Sequence, residues 1–195
     1  MKTLNFTQAD MAPYIARFAD LKPNKADYSE REGVPVEAYE MVAAKFIYFL
    51  LGAPKEAVGA NTQPAVPGLP GTSLYIVECP PGDGPSLHAH MKTRETFFCL
   101  RGKFDVLWGD EGENAITLEP FDMISVPAGV TRAFKNVDTG SSFLLAMIQG
   151  EDDGAALNDI ALTPAVGEEV VRRFGPAAKQ GLERVGMVFT AGVED

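Results

Sequence analysis

The stretch GDGPSLHAHMKTRETFFCLRG, residues 82–102, decides which fold this sequence predicts. It contains the only two histidines of the chain, His88 and His90, and four residues separate the second histidine from Glu95. Side chains alternate between the two faces of a β-strand, so His88 and His90 point to the same side. A short turn after His90 would bring Glu95 beside them from the neighbouring strand. Two imidazoles and a carboxylate that converge in this way make a facial triad, which holds a divalent metal and leaves coordination positions open.

The spacing of this stretch resembles the first sequence motif of the cupin superfamily. Every fixed position of that motif is matched, by Gly82, His88, His90, Glu95 and Gly102. The resemblance extends over about residues 74–149 and does not cover either end of the chain. It implies an all-β fold of the cupin type, a double-stranded β-helix or jelly-roll barrel, whose mouth holds a metal ion.

A second motif of the same superfamily is matched only in part, by residues 121–136, FDMISVPAGVTRAFKN. Three of its positions agree, namely Pro127, Gly129 and Asn136. Phe121 stands where the motif has a glycine, and Arg132 stands where it has a metal-binding histidine. The fourth metal ligand that the motif normally supplies is therefore missing from this sequence.

The resemblance also implies which ion is bound and how many barrels there are. The implied metal ligands are His88, His90 and Glu95, and the favoured ion is Fe(II), with Zn, Mn or Ni as alternatives. The chain has no internal repeat and no second set of ligand residues, so one barrel is expected. Single-barrel cupins commonly pair, which predicts a homodimer.

Three regions follow from the pattern along the chain. Residues 1–36 are predicted to be an N-terminal extension, residues 37–149 the barrel, and residues 150–195 a C-terminal helical appendage, all within one domain. In the extension, Asp10 is the expected N-cap of a short helix that carries apolar residues on one side.

The start of the barrel region has the pattern of a strand over residues 37–51, which end in the apolar run FIYFLL. Such a run indicates a strand covered on both faces, either by core packing or by a second copy of the chain. Residues 52–73 are punctuated by proline and glycine and form a long connection. A connection of this length is either a cover over the barrel mouth or a surface loop.

Between residues 74 and 149, short alternating segments separated by turn residues predict the barrel strands. In one of them Glu95, Phe97 and Cys99 are expected to share the face that carries the metal. The C-terminal region changes to a helical period. Thr163 is the expected N-cap of a helix that ends at Gly175, and a second helix is predicted over residues 176–185, packed against the outside of the barrel.

The composition limits the classes of partner. A net charge of −10 and an isoelectric point near 4.7 argue against nucleic acid or an anionic membrane as a partner. The first residues, MKTLNFTQAD, lack the apolar region of a signal peptide, and no apolar run reaches membrane-spanning length. Cys79 and Cys99 are too few for a disulfide framework and are expected to be buried thiols. These features predict a cytoplasmic protein whose partner is a small molecule.

Among the departures from the motif, Arg132 has the largest consequence for the chemistry of the site. A guanidinium stays protonated and only donates hydrogen bonds, so Arg132 cannot replace histidine as a ligand. Either it pairs with an acid such as Glu78 or Asp122, or it clamps an anionic ligand, or the metal is lost. We favour the clamp, which makes Glu95 and Arg132 the predicted catalytic residues. The predicted substrate-binding residues are Arg132, Phe97, Phe104, Phe134 and Tyr75.

The favoured function is a metal-dependent, dioxygenase-like oxidoreductase that acts on a small organic acid, enol or diol. One alternative is a cupin isomerase or lyase that uses the metal as a Lewis acid. Another is a non-catalytic barrel that binds or senses a small acid. A storage-type cupin is disfavoured, because such proteins need not keep the full ligand triad.

Overall fold

The structure is a computed structural model that describes residues 1–23, 32–53, 63–150 and 160–193. The strands in these ranges are β1 (Phe46–Gly52), β2 (Val66–Pro67), β3 (Thr72–Cys79), β4 (His88–His90), β5 (Arg94–Arg101), β6 (Phe104–Trp108), β7 (Asn114–Leu118), β8 (Met123–Val126), β9 (Arg132–Asn136), β10 (Ser142–Gln149) and β11 (Ile160–Leu162). The α-helices are α1 (Gln8–Met11), α2 (Val36–Val42), α3 (Pro164–Phe174) and α4 (Pro176–Arg184). Short 3₁₀ turns lie at Ala12–Tyr14 and Phe18–Asp20.

The strands form two sheets. One has the order β2-β1-β3-β10-β5-β8 and the other the order β11-β4-β9-β6-β7. Neighbouring strands are antiparallel except β1 and β2, which are parallel. The expectation of an all-β, double-stranded β-helix is confirmed, since both sheets contribute inward side chains to one apolar core.

The predicted alternation of side chains is confirmed in the central strands. In β3 and β10 buried and partly exposed residues alternate along the whole strand, with one exposed residue at the end of β10. In β5 the side chains of Glu95, Phe97 and Cys99 are buried together on the inner face. Cys79 and Cys99 are both free and buried, as expected. The site residues thus lie on strands whose register is fixed by an apolar core.

Asn136, from the partly matched second motif, joins three segments of the barrel. Its Nδ2 donates to the Cys79 carbonyl (2.7 Å) and to the Gly140 carbonyl (2.8 Å). Its Oδ1 accepts from the Asp138 N–H and from the Ser142 hydroxyl, both at 2.8 Å. The side chain of Asn136 is 1% exposed, so water cannot take over its hydrogen bonds. This asparagine is therefore a structural centre of the fold.

We expect Asn136→Ala to lower the free energy of unfolding by about 3 kcal/mol, because it removes two buried and two partly buried hydrogen bonds. Urea unfolding followed by circular dichroism measures the loss. Asn114→Ala is the matched control, since Asn114 is exposed and donates one long hydrogen bond of 3.4 Å to the Trp108 carbonyl. A loss below about 1 kcal/mol for Asn136→Ala would contradict this role.

The strand expected over residues 37–51 is wrong in its first half. Val36–Val42 is a helix that begins after Pro35, and only Phe46–Gly52 is a strand. Ala38 and Val42, four residues apart, are buried on the same side of the helix. The apolar face of α2 needs a partner, and it finds one in the C-terminal helices, which local sequence does not reveal.

The N-cap predicted at Asp10 is also wrong. Thr7 caps α1, and Asp10 is the third helical residue, whose carboxylate accepts from the Thr7 backbone N–H at 2.8 Å. The two residues form a capping box. Since α1 ends at Met11, the apolar residues that follow do not share one helix face.

Both C-terminal helices are confirmed. The first follows Thr163 and ends at Gly175, whose φ of +85° suits glycine, and the second begins at Pro176. The region does more than pack on the exterior, however, because β11 pairs with β4, the strand that carries both histidines. A second apolar cluster joins α2, α3, α4 and β11, and its buried members are Val34, Ala38, Val42, Leu162, Val170, Ala178, Leu182 and Met187.

The proline- and glycine-rich connection expected over residues 52–73 lies partly outside the described residues, which omit 54–62. The described part contains β2, which pairs with β1, and the start of β3 at Thr72. Its expected role as a cover remains a prediction. In the described part of the chain, helices are all too short or too polar to cross a lipid bilayer.

Candidate metal centre

Strands β4 and β5 bring together the three predicted ligands. His88 and His90 point to one side of β4, and Glu95 approaches from β5 after a turn of three residues. The Oε2 atom of Glu95 lies 3.8 Å from Nε2 of His88 and 3.6 Å from Nε2 of His90. All three residues are buried, and one potential ligand atom from each lies within 4.8 Å of the others. The convergence predicted from the spacing is therefore present in the structure.

The outer nitrogens of both rings are held by the protein. Nδ1 of His88 lies 2.8 Å from the Ser86 carbonyl, and Nδ1 of His90 lies 3.3 Å from the Thr93 hydroxyl. A carbonyl oxygen only accepts hydrogen bonds, so Nδ1 of His88 carries the proton. Its Nε2 then presents a lone pair to the centre of the site. Hydrogen bonds of this kind set the tautomer and orientation of histidine metal ligands.

These donor atoms fit a divalent metal. Metal–nitrogen and metal–oxygen bonds are about 2.0–2.2 Å long, so the ligand atoms of one ion are roughly 3–3.5 Å apart. The observed separations of 3.6 and 3.8 Å from Oε2 of Glu95 are slightly wider, and all three potential ligand atoms lie within 4.8 Å of one another. A neutral Nε2 and a carboxylate both accept, and a cation between them satisfies both. The donor set of two imidazoles and one carboxylate is that of a facial triad.

Arg132 lies directly beside this triad. It pairs with His88 across β4 and β9, its side chain has 0% exposure, and its Nε donates to Oε2 of Glu95 at 3.1 Å. Its Nη1 donates to the Val130 carbonyl at 3.1 Å. Of the three alternatives, the structure shows pairing with an acid. That acid is the candidate ligand itself.

Glu78 and Asp122, the two acids considered for this pairing, are not the partner that the structure shows. Glu78 accepts from the Tyr48 hydroxyl at 3.0 Å, and Asp122 accepts from the Glu119 backbone N–H at 3.0 Å. The sequence could not identify the true partner, because it depends on how β5 and β9 face each other across the barrel.

Burial and nearby charges act in opposite directions on the pKa of Glu95. Burial alone raises it, but attraction to His90, contact with His88 and the Arg132 charge outweigh the burial. The pKa of the Glu95 carboxyl therefore lies well below its usual range, and Glu95 is ionised. Burial lowers the pKa of His88, which favours the neutral imidazole that a metal requires.

A cavity of about 150 Å³ opens on the triad. Its wall is mainly aliphatic and aromatic, and besides the triad it is lined by Tyr39, Val42, Ala43, Ala44, Ile47, Tyr75, Val77, Pro85, Phe134, Ala146, Ile148, Ile160, Leu162 and Met187. Burial raises the pKa of Tyr39 to about 12 and also raises that of Tyr75. Both phenols are therefore protonated at neutral pH and can donate hydrogen bonds.

The predicted substrate-binding residues fall into two groups. Tyr75 and Phe134 line the cavity. Phe97 and Phe104 are corrected to core residues, because both have 0% exposure and lie behind the cavity wall. Arg132 is also outside the cavity lining, so its expected position as a clamp on the ligand is not where the structure places it.

Several lining residues were missed from the sequence. Tyr39 and Val42 belong to α2, whereas Ile160, Leu162 and Met187 come from the C-terminal region. The helix could have been found from Pro35 and the i, i+4 spacing of its buried residues. The residues of β11 reach the cavity because β11 pairs with β4. That pairing joins distant segments, so no local sequence pattern predicts it.

This arrangement defines a β-barrel of the jelly-roll type with a possible metal site inside it. A family model described as "Cupin domain" matches residues 75–148. The chain thus contains a cupin domain over residues 75–148. No curated protein matches the sequence.

Among solved structures, the cupin domain of Cnp3 from Schizosaccharomyces pombe is similar at 17% identity and a TM-score of 0.41, over 54% of this chain and 65% of that one. A sugar phosphate isomerase from a cupin superfamily of Silicibacter pomeroyi shares 23% identity with a TM-score of 0.39, over 43% and 54%. KdgF from Halomonas sp. shares 19% sequence identity with a TM-score of 0.40, over 45% of this chain and 76% of that one. This chain covers less than two thirds of the first two structures.

Proposed function

We propose that this protein is a metal-dependent enzyme that acts on a small, largely apolar organic molecule in the cavity above His88, His90 and Glu95. The observation that carries the proposal is the convergence of these three buried ligand residues at the wall of a cavity. His88, His90 and Glu95 would hold a divalent metal, with Fe(II) as the proposed ion, which would supply Lewis-acid and redox chemistry at the cavity wall. The proposed reaction class is the dioxygenase-like oxidation of an enol or diol.

The cavity wall favours an uncharged or singly anionic substrate. Among the described residues, lysine and arginine side chains do not line it, and Arg132 is bonded to Glu95. A dianionic acid would find no cation on the wall to neutralise it. With about 150 Å³, the cavity also lies below the roughly 300–1,000 Å³ of sites for drug-sized ligands, so the substrate is small.

The residues of the chain have separate roles in this proposal. The two histidines and Glu95 hold the metal, while Ser86 and Thr93 fix the ring orientations. Tyr75 lines the cavity and holds its phenolic proton because burial raises its pKa, and its proposed role is to donate to a substrate oxygen. The aliphatic wall excludes water from the centre.

Arg132 is proposed as a positioning residue. By donating to Oε2 from outside the cavity, it keeps Glu95 ionised and oriented toward the two imidazoles. This role replaces the anion clamp expected from the sequence.

A binding or sensing barrel is the second candidate. The observation that favours it is Arg132 at the position opposite His88, because its charge opposes that of a metal. In that case the cavity would hold the same small ligand without turnover. An isomerase or lyase is less favoured, since among the described residues the proton carriers at the site, apart from the two histidine ligands, are Glu95 and the two tyrosines.

The first test is the metal content of the protein purified without chelator. We expect about one equivalent of divalent metal by elemental analysis, and its loss in His88→Ala. Anaerobic loading with Fe(II), followed by an oxygen electrode in the presence of small enols and diols, tests the reaction. A protein that binds no divalent ion under these conditions would overturn the enzyme proposal. Metal binding without oxygen uptake would favour the binding barrel.

We expect Ala146→Leu to lower turnover or ligand affinity by at least about 100-fold, while the metal content stays at one equivalent. Ala146 lines the cavity and is 4% exposed, so the longer side chain enters the cavity rather than solvent. Elemental analysis together with oxygen uptake separates the two effects. Ala115→Leu, at an exposed position of β7, is the matched control. Unchanged turnover in Ala146→Leu would show that substrate does not enter this cavity.

A further inference from the structure

Two segments outside the matched cupin domain pack together beside the metal centre. One contains α2 and the other is the C-terminal region, and among the described residues every buried member of the apolar cluster that joins them lies outside residues 75–148. The two segments also line part of the cavity, through Tyr39, Val42, Ala43, Ile160, Leu162 and Met187. We call residues 32–43 and 160–191 together the flanking unit.

The chain just before α2 is fixed to α4. Val34 has 0% exposure, and a Cβ atom placed on Gly181 of α4 would lie 2.4 Å from its Cγ2. That distance leaves no room for a side chain, so the two segments are in direct contact. Arg184 of α4 donates from Nη2 to the Glu32 carbonyl at 2.7 Å and from Nε to the Glu32 carboxylate at 3.1 Å. The two parts of the flanking unit therefore form one packed body.

Ser86 forms hydrogen bonds with both this unit and a metal ligand. Its hydroxyl donates to the Met41 carbonyl at 2.6 Å, and its own carbonyl accepts from Nδ1 of His88 at 2.8 Å. Met41 lies in the last turn of α2, where carbonyl groups have no partner within the helix. Ser86 supplies that partner. Two hydrogen bonds through one residue thus connect the C-terminal end of α2 with the imidazole of His88.

The strand that carries both histidines pairs more extensively with the flanking unit than with the barrel. Within the described strands, β4 pairs with β11 at three positions and with β9 at His88 alone. On the barrel side the Gly129 N–H also donates to the His90 carbonyl at 2.8 Å. The loop before β4 is held in addition by the chain after α2, because the Asp83 carboxylate accepts from the Lys45 N–H at 3.1 Å. The positions of both imidazoles therefore depend on segments outside the barrel.

The hydrogen bond behind a histidine ligand influences how tightly the metal is held. Loss of such a bond typically lowers metal affinity by about 10–100-fold. The Ser86 carbonyl is fixed by the bond from its own hydroxyl to α2, so a displacement of α2 also displaces the acceptor of His88. Coupling between two equilibria is reciprocal, so a bound metal favours the packed position of α2 to the same extent.

We propose that Ser86 is a positioning residue through which α2 orients His88 for a metal, so that metal binding and the packing of the flanking unit strengthen each other. This inference rests on the metal site of the proposed function but not on any reaction there. If Ser86 only completed the end of the helix, its loss would lower the free energy of unfolding and leave the metal affinity unchanged. Metal affinity therefore separates the two roles.

Competition with a chelator of known affinity, with Zn as the probe ion, tests the positioning role. We expect Ser86→Ala to weaken Zn binding by at least about tenfold, and Ser86→Thr, which keeps the hydroxyl, to stay within about threefold of wild type. Thr117→Ala is the matched control, since it removes a hydroxyl hydrogen bond of the same 2.6 Å length, to Asp105, and lies on β7 at the opposite edge of the five-stranded sheet from β11. Thermal unfolding confirms that the variants fold.

The outcomes of this competition distinguish the inference from the proposed function. A wild type that binds no Zn would overturn both of them. A wild type that binds Zn with the same affinity as Ser86→Ala would overturn the inference alone and leave the metal site of the proposed function intact.

Arg184→Met tests whether the flanking unit acts as one body. Arg184 does not line the cavity, yet it holds Glu32 at the start of the unit. We expect Zn binding to weaken by about fivefold, at the lower end of what coupled sites show. Arg172→Met is the matched control, because Arg172 is exposed and pairs with Glu169 within α3. Unchanged Zn affinity in Arg184→Met would overturn the linkage between the flanking unit and the metal.

Hydrogen exchange followed by mass spectrometry tests the reverse direction of the linkage. In wild type, saturating Zn should slow the exchange of the amides of residues 36–43 by at least about tenfold relative to those of β7. In Ser86→Ala, loaded with Zn to the same occupancy, this slowing should be lost. Equal slowing in the two proteins, or none in wild type, would overturn the linkage through Ser86.

Discussion

Glu95→Gln will destabilise the metal-free protein by about 3–5 kcal/mol, although it changes a single group at the wall of a small cavity. The reason is Arg132, whose guanidinium has 0% exposure and donates to Oε2 of Glu95 at 3.1 Å. The amide leaves that positive charge buried without its carboxylate. The loss expected when a buried charge loses its ionised partner far exceeds that from one neutral hydrogen bond.

Urea unfolding in a chelating buffer measures this effect without any contribution from a bound ion. Glu119→Gln is the matched control, because Glu119 pairs with Lys103 at 2.7 Å but both side chains are more than half exposed. Its loss should stay below about 1 kcal/mol. The double variant Glu95→Gln/Arg132→Met should recover much of the stability, since it removes both charges. Equal losses for the buried and exposed pairs would refute the role of Arg132 as the buried partner of Glu95.

The triad could be predicted from the sequence because its geometry is local. Alternation along β4 aligns His88 with His90, and a short turn returns Glu95 to the same side. The barrel strands and the helices that begin at Pro164 and Pro176 were also predictable, since alternation, caps and turn residues lie within each element.

The parts that were missed depend on contacts between distant segments. The helix Val36–Val42 is stabilised by the C-terminal helices, so its own short pattern was mistaken for a strand. The strand Ile160–Leu162 has three residues and exists through pairing with β4. The core positions of Phe97 and Phe104 depend on the depth of the cavity, which alternation does not give. Alternation predicts the face of a residue, and packing decides whether that face is open.

Replacing Arg132 by histidine should make the protein bind a divalent metal about 100-fold more tightly. Arg132 lies opposite His88 in the pairing of β4 with β9, so a histidine there faces the same side as the two ligand imidazoles. The substitution removes a buried positive charge from the neighbourhood of the ion and adds a fourth donor. Both changes favour metal binding, and together they outweigh the loss of the hydrogen bond from Arg132 to Glu95. Competition with a chelator of known affinity, with Zn as the probe ion, measures the change.

Arg132→Met separates the two contributions. It removes the charge without adding a ligand, but it also removes the hydrogen bond that orients Glu95, and loss of such an outer hydrogen bond typically weakens metal affinity by about 10–100-fold. Because lost repulsion and lost orientation oppose each other, its affinity should stay within about tenfold of wild type. Tighter binding in Arg132→His alone would mean that the missing ligand limits the site. Equal gains in both variants would mean that the charge of Arg132 limits metal affinity. Weaker binding in both variants would mean that the metal centre depends most on the hydrogen bond from Arg132 to Glu95.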